Sequence, residues 1–487
     1  MDNAPAIDAD AAYRAWAARD ARFDGRLFVG VTSTGIYCRP VCRVKLPKRA
    51  NMRFYANAAS AERDGFRPCL RCRPELAPGL SLADSSQALA EQAARLMREA
   101  VHAGRAIDVP AVAARLGVSD RHLRRIFQAA HGVTPIDFLT TQRLLLAKQL
   151  LTDTAEPVTA VAHASGFDSL RRFNAAFAER YRLSPSALRR EGRHGAGDDA
   201  LTLRLGWRPP YDAEAMLGFL ARRAVAGVET VDGPAYRRSL ALRHDGRRHV
   251  GWLAVRFDAA RCELQVDLAP ALAPALGALL PRLRQAFDLD ADPERIDTAL
   301  ASLPVPACAG LRLPGAIDGF EAALRVVLGQ QVTVKAARTL TQRMVERYGE
   351  AIATPHAGVQ RLFPDAETMA TADAADIGRL GIVRQRVGAI QALARAVADG
   401  TIELHRGAPL EPTLAALRAL PGIGEWSAQL IAMRALAWPD AWPAADIGLY
   451  QALGTRDPKR TTELAEAWRP WRAYAVMRLW HHLEIQA

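Results

Sequence analysis

Two pairs of cysteines constrain this chain more than any other feature of its sequence. Cys38 and Cys42 stand four positions apart in GIYCRPVCRVK; after a spacer of 26 residues, Cys69 and Cys72 stand three apart in RPCLRCRP. Two close pairs so separated fit a tetrahedral zinc site of four thiolates, closed and usually structural. The spacing equally permits one sulfur to be a nucleophile, because a metal-held thiol stays ionised at neutral pH. A disulfide framework is the poorer alternative, since six cysteines in 487 residues are too few to staple a fold of this length. A reducing cytosol is the natural home. Spacing alone leaves ligand and nucleophile both open.

The first pair lies among cations, Arg39, Arg43 and Lys45, and the whole chain shares that bias, with a net charge of +12. Such a surplus favours a polyanion, either nucleic acid or an anionic membrane surface. The membrane fits poorly. The start, MDNAPAIDAD, is acidic and lacks the basic and apolar regions of a signal peptide. No apolar run approaches the roughly 18 residues of a spanning helix, and LAPALAPALGALLP is broken by prolines.

Length alone suggests about three domains of roughly 150 residues; the pattern along the chain gives four blocks. Residues 1–78 hold the cysteine pairs and end in a linker-like RPCLRCRPELAPG. Residues 80–190 are all-helical and arginine-rich, and EGRHGAGDDA (191–200) is a glycine-rich, charged joint. Residues 201–310 mix alternating strands (LTLRLGW, RCELQVDL) with a helix around 212–225, an α+β pattern. Residues 311–487 read as helices joined by loops at RLGIVR, LPGIGEW and WPDAWPAAD.

With its context, VGVTSTGIYCRPVC followed by GFRPCLRCRP resembles the N-terminal domain of the Ada DNA-repair family over residues 10–78. The resemblance implies a small α+β domain in which Cys38, Cys42, Cys69 and Cys72 bind one Zn2+. It also implies that Cys38 irreversibly accepts a methyl group from a methylphosphotriester in DNA. The chemistry is coherent: the thiolate is the nucleophilic form, and a triester has lost the charge that would repel it. Arg39, Arg43 and Lys45 are expected to hold the DNA backbone.

In the second block, DVPAVAARLGVSDRHLRRIFQAAHG reads as a helix, a turn at Gly117, and a helix capped by Ser119. The pattern recurs as PVTAVAHASGFDSLRRFNAAFAERY, with its turn at Gly166 and Phe167. Two such units joined by IDFLTTQRLLLAKQLL resemble the AraC-type DNA-binding domain over roughly 85–190. The second helix of each unit then enters the major groove. Arg121, His122, Arg124 and Arg125, with Ser169, Arg171, Arg172 and Asn174, are the expected contacts. Without the pairing, these arginines would read as the solvated face of an ordinary bundle.

TLAALRALPGIGEWSAQLIAMRAL (413–436) is an apolar helix stopped at Pro421, a tight turn through Gly422 and Gly424, and a new helix from Glu425. Such a hairpin aims backbone N–H groups at a phosphate, and glycine permits positive φ and close approach. WPDAWPAADIGLYQAL then delivers one carboxylate, Asp446, at a helix start, where an isolated aspartate would be read as an N-cap. Hairpin, proline-rich loop and aspartate together resemble the helix–hairpin–helix DNA glycosylases of the AlkA type (3-methyladenine glycosylase II), from about 201 to the end. LRVVLGQQVTVKAARTL and WRPWRAYAVMRLW fit as well.

This resemblance implies base flipping and hydrolysis of the N-glycosidic bond of alkylated purines. Asp446 becomes the catalytic carboxylate, stabilising an oxocarbenium-like transition state. Trp426 and Trp480 become pocket aromatics for a cationic base, with Gly422, Gly424, Gln330 and Gln331 at the DNA. Gln331 stands where the family wedges an apolar residue, Leu430 where a tyrosine can occur, and Ala445 where another acid is sometimes present. GEWSAQ holds no lysine for a Schiff base, which predicts a monofunctional enzyme. No Pro-Cys-His-Arg motif is present, so direct O6-alkylguanine repair is not expected. Cys262 and Cys308 read as buried small hydrophobes.

The combined expectation is a cytoplasmic, nucleoid-associated monomer acting on alkylated and promoter DNA with RNA polymerase as a further partner. The runner-up is a transcription regulator whose C-terminal half is a catalytically inactive DNA-binding module.

Overall fold

The computed structural model describes residues 9–20, 23, 27–55, 58–72, 74, 82–102, 107–153, 156–192, 201–244 and 246–486. The expected linker after Cys72 and the expected joint at 191–200 lie largely outside these residues. The chain divides into two compact units, one of residues 1–100 and 106–142, the other of 101–105 and 143–487. The division runs through the long helix Pro135–Asp153, so the two helix–turn–helix repeats fall in different units.

The first unit opens on a four-stranded sheet of order β3-β1-β2-β4, with β1 Phe28–Val31, β2 Ile36–Cys38, β3 Met52–Tyr55 and β4 Arg67–Pro68. β1 is antiparallel to β2 and β3, while β2 and β4 run parallel. The parallel pair sets the metal centre. Its register places Tyr37 beside Pro68, and Cys69 N donates to Tyr37 O at 3.0 Å. The first cysteine of each pair therefore leaves the sheet at the same level. Alternation sends Leu27, Val29 and Cys38 into a core with Ala12 and Trp16, and Phe28 and Tyr37 into another with Phe66.

The same unit continues through the helices Leu82–His102, Val109–Arg115 and Asp120–His131. Gly117 takes φ of 67°, and Ser119 Oγ accepts from His122 N at 3.2 Å, the turn and cap expected from sequence. Leu123, Ile126 and Phe127 form the buried stripe of the second helix. In the other unit the repeat has the helices Val158–Ala164 and Leu170–Tyr181, a turn at Gly166 with φ of 84°, and Phe173 and Phe177 buried.

An antiparallel five-stranded sheet follows, of order β5-β9-β8-β7-β6. Its strands are β5 Leu201–Gly206, β6 Glu229–Asp232, β7 Ala235–His244, β8 Arg247–Asp258 and β9 Glu263–Leu268. Leu203, Leu205, Leu264, Val266 and Leu268 alternate inward and are fully or almost fully buried. The rest is helical, around a core that includes Leu324, Val327, Met344, Ile390, Leu393, Leu417, Ile431 and Leu479. Each such side chain contributes about 1.5–3 kcal/mol by leaving water. Helix Glu425–Arg434 lies at its centre, with every residue from Ser427 to Met433 buried. No described helix is long and apolar enough to cross a membrane.

Two expectations about cysteine are corrected. Cys262 and Cys308 are only half-buried. Cys262 occupies the turn between β8 and β9 with φ of 54°, and Cys308 packs only partly against the helical core. Turn geometry, which sequence periodicity does not show, keeps Cys262 near the surface.

Candidate active site and metal centre

The ligand atoms of Cys38, Cys42, Cys69 and Cys72 all lie within 4.8 Å of one another, and all four residues are buried. Four thiolates around zinc at about 2.3 Å would sit about 3.8 Å apart, so the cage has the right size. Four buried sulfurs so close together suit a cation. Thiol hydrogen bonds from Cys38 and Cys72 hold Cys42 well below the ordinary thiol range, whereas donation to Cys42 and then to Cys72, with burial, pushes Cys38 far above it. Unaided, one sulfur ionises at the expense of its neighbours. A dication lets all four ionise together, and the donor set fits one Zn2+ bound by the four cysteines.

Arg39 is corrected. It is fully buried, its N–H points to Cys72 Sγ at 3.5 Å, and its guanidinium donates to Cys72 O at 3.4 Å. It ties the first cysteine loop to the second and cannot also hold a DNA backbone. Arg43 and Lys45 are exposed, as expected of backbone contacts. Arg67 and Arg71 are exposed beside the second pair; sequence reading passed over them, although GFRPCLRC shows one cation on each side of Cys69.

In the helix–turn–helix repeats, Arg121, Arg125, Arg171, Arg172 and Asn174 are exposed on the second helices. Arg124 is half-buried and spends its Nε on Asp120 at 2.7 Å, and Arg125 meets His122 Nδ1 at 3.2 Å. Ser169 caps its helix, accepting from Arg172 N at 3.5 Å.

In the second unit, a cavity of about 1190 Å³ is lined by Gln330, Gln331, Trp426, Leu430, Asp446 and Trp480, among others. Asp446 is 9% exposed and does what an isolated helix-start aspartate does: it caps Ile447–Leu453, accepting from Leu449 N at 3.2 Å. It does more. Trp480 Nε1 donates to its Oδ1 at 2.9 Å and Trp426 Nε1 to its Oδ2 at 3.0 Å. Two indoles from separate helices thus fix the carboxylate plane at the cavity wall, and with Leu449 N on Oδ1 they leave one acceptor site, on Oδ2, for another partner. Trp426 and Leu430 stand four residues apart on one helix and share a face.

Gly448 was missed. A Cβ there would meet Trp480 Cδ1 at 2.9 Å and Asp446 Oδ1 at 3.1 Å, so its bare backbone lets the indole reach the acid. The only signal was the small residue in Asp-Ile-Gly.

The hairpin closes one side. Gly422 has φ of 79°, and a Cβ would meet Ala389 Cβ at 2.9 Å, so both reasons for glycine hold. Neither holds at Gly424, corrected here: its φ is −89° and a Cβ would touch nothing within 4 Å. Gly424 is the N-cap of Glu425–Arg434, with no side-chain cap bond. Gln330 Nε2 donates to Gly422 O at 2.8 Å and Ser427 Oγ at 2.9 Å, anchoring its loop to the hairpin. The next residue, Gln331, is exposed and left-handed, with φ of 54°.

Four family models match the chain: Metal binding domain of Ada over 11–75, Helix-turn-helix domain over 112–191, AlkA N-terminal domain over 202–318, and HhH-GPD superfamily base excision DNA repair protein over 324–472. A Mycobacterium tuberculosis protein described as a probable bifunctional transcriptional activator/DNA repair enzyme AlkA is 39% identical over 494 residues, covering 98% of this chain and 97% of its own. DNA-3-methyladenine glycosylase 2 of Escherichia coli is 36% identical over 277 residues, 57% of this chain and 96% of its own. The solved 3-methyladenine DNA-glycosylase of Archaeoglobus fulgidus shares the fold over 58% of this chain and 99% of its own, with a TM-score of 0.50 and 20% identity. Matched over nearly its whole length by this relative, which it covers almost as fully, the chain belongs to the family of bifunctional AlkA transcriptional activator/DNA repair proteins.

Proposed function

We propose that this chain repairs alkylated DNA as a monofunctional glycosylase of 3-methyladenine type, fused to a zinc–thiolate methyl acceptor and an AraC-type regulator. The observation that carries the glycosylase half is the carboxylate of Asp446, held by two indole N–H groups at the wall of a cavity. An N3- or N7-alkylated purine is cationic and already a good leaving group. Flipped from the stack, it is attracted to the faces of Trp426 and Trp480. As the C–N bond breaks, positive charge grows on the sugar, and the fixed carboxylate stabilises it without reorganising.

The helix start at Gly424 and the turn at Gly422 offer N–H groups to a backbone phosphate, and Gln331 fills the gap left by the base. No lysine occurs between Thr413 and Asp446, so water rather than an amine completes the reaction. Base release from N-methylated duplex DNA tests this. Asp446→Asn, nearly isosteric, should slow release about 100-fold or more, the scale of a removed electrostatic stabiliser. Equal release by both proteins would instead favour an inactive C-terminal module, and strand cleavage with borohydride trapping would contradict monofunctionality.

At the other end, Cys38 is read as the methyl acceptor. Its sulfur attacks the methyl carbon of a methylphosphotriester, the C–O bond breaks, and the phosphodiester leaves as an anion. Zinc supplies the condition for this, a thiolate at neutral pH. Arg43 and Lys45, with Arg67 and Arg71, suit the flanking phosphates. Cys38 is only 2% exposed, so the loop after it must give way to admit the methyl carbon. Mass spectrometry after incubation with methylated DNA should find one added methyl, on Cys38; methylation elsewhere, or none, would overturn the assignment. Loss of one negative charge at the centre then tightens its hold on phosphates, the basis of a transcription switch working with RNA polymerase. In this reading the protein is a monomer in the cytoplasm, associated with the nucleoid.

A further inference from the structure

The loop that carries Asp446 has no regular structure of its own. It leaves helix Glu425–Arg434, passes through Ala437 with φ of 52°, and enters the helix at Ile447. Six residue steps separate Asp440 from Asp446, enough for about 20 Å of fully extended chain. Such a loop places a carboxylate only if it is tied down along its length.

The ties converge on the C-terminal helix Arg472–Gln486. Arg472 Nε donates to Asp440 Oδ1 at 2.8 Å, and its Nη2 donates to Oδ2 at 2.9 Å and to Asp440 O at 2.9 Å. Arg469 Nη1 adds a bond to Oδ2 at 2.6 Å, and Ala473 N donates to Pro439 O at 2.9 Å. Both partners are deeply buried, the Arg472 side chain 7% exposed and that of Asp440 10%. Eight residues further along the same helix, about 12 Å by helical rise, Trp480 holds Asp446. One rigid element thus grips the loop twice, at its middle and at its reactive end.

We infer that Arg472 is a positioning residue for the glycosidic reaction, its bidentate grip on Asp440 setting the register in which Asp446 meets Trp480 and Trp426. The inference rests on reading Asp446 as the catalytic carboxylate. A buried ion pair is poor evidence of net stabilisation, because packed apolar residues often do as well. What the planar fork supplies is direction: three bonds fix both the carboxylate and the carbonyl of one residue. Weaker ties share the rest of the loop: Trp442 N donates to Gln429 Oε1 at 3.0 Å, and Thr461 Oγ1 to Ala444 O at 2.9 Å.

The test compares full-length wild type with Arg472→Lys, which keeps the charge but loses the fork, and with Asp440→Asn, which keeps the shape but loses the charge. Three quantities are measured: single-turnover base release from N-methylated duplex, affinity for duplex carrying an uncharged abasic analogue, and the indole N–H resonances of 15N-labelled protein. The expected result is a 10- to 100-fold slower release, the scale of a sub-ångström to 1 Å misplacement, with analogue affinity held within twofold. The Trp480 and Trp426 resonances should move toward their positions in Asp446→Asn. Unchanged release in both variants, or slower release with those two resonances unmoved, would overturn the inference. Should wild type release no base, the glycosylase reading fails separately, and the two resonances still decide whether Arg472 sets the place of Asp446.

Discussion

Replacing Gly448 by alanine adds one methyl group and removes none. The new Cβ would lie 2.9 Å from Trp480 Cδ1, 3.0 Å from Nε1 and 3.1 Å from Asp446 Oδ1. Ordinary carbon contacts fall at about 3.5–4.0 Å, so the indole must withdraw by at least about half an ångström. Two effects oppose each other. Alanine in place of glycine within a helix gains roughly 0.5–1 kcal/mol, and forcing a methyl into a packed contact costs typically 1–3 kcal/mol. The crowding wins, for a net loss of about 1 kcal/mol. The larger consequence is kinetic, because the atom displaced is the donor that holds Asp446 at 2.9 Å. A shift of that size predicts a roughly 10-fold slower single-turnover base release. Affinity for abasic-analogue DNA should not change, since Gly448 bears on the acid and indole rather than on the hairpin. Rapid-quench kinetics with fluorescence-anisotropy titration reads both. Release at the wild-type rate, with the folded state intact by thermal melting, would refute the claim that the Trp480–Asp446 bond matters.

Chelation of zinc, or Cys42→Ser, should unfold the sheet of the first unit and abolish methyl acceptance while leaving base release intact; assaying both activities on one chelated sample checks this. Zinc retention should fail as pH falls, because protons compete for the thiolates, and dye-detected zinc release along an acid titration reads it. Asp288 is half-buried among Tyr474, Leu313 N and Arg312, and desolvation there pushes its carboxyl up to about 6. The folded state therefore binds more protons than the unfolded one between about pH 4 and 6, so this group's contribution to stability falls as pH rises through that window. The magnitude is on the order of 3 kcal/mol. Asp288→Asn should remove that part of the slope in denaturant melts between pH 4 and 7, and an unchanged slope would count against it.

Much of the layout was legible because its signals are local. Ser119 and Gly117 mark a turn and cap by their own chemistry, and the cysteine spacing states a donor set. Asp446 was legible through a pattern of hairpin, loop and acid spread over some 30 residues. What sequence could not show depends on tertiary burial. Arg39 reads as one more cation beside a cysteine until packing encloses it against Cys72. Gly422 and Gly424 look equivalent in PGIG, yet only the first faces a neighbouring helix, at Ala389. Arg472 pairs with a residue 32 positions away, and no local pattern announces that partner.

Gln331 carries a quiet consequence of its own. A side chain other than glycine in the left-handed region forfeits about 1–2 kcal/mol at that residue, whether or not DNA is present. The tip at φ of 54° is therefore a spring kept cocked by the Gln330 amide and by Arg386, whose guanidinium holds Gln330 O at 2.5 Å. A glycine there would relax it and make the folded protein sturdier. A search for hardier variants would be drawn to this position first, and would trade away a side chain that the folded protein holds exposed under strain.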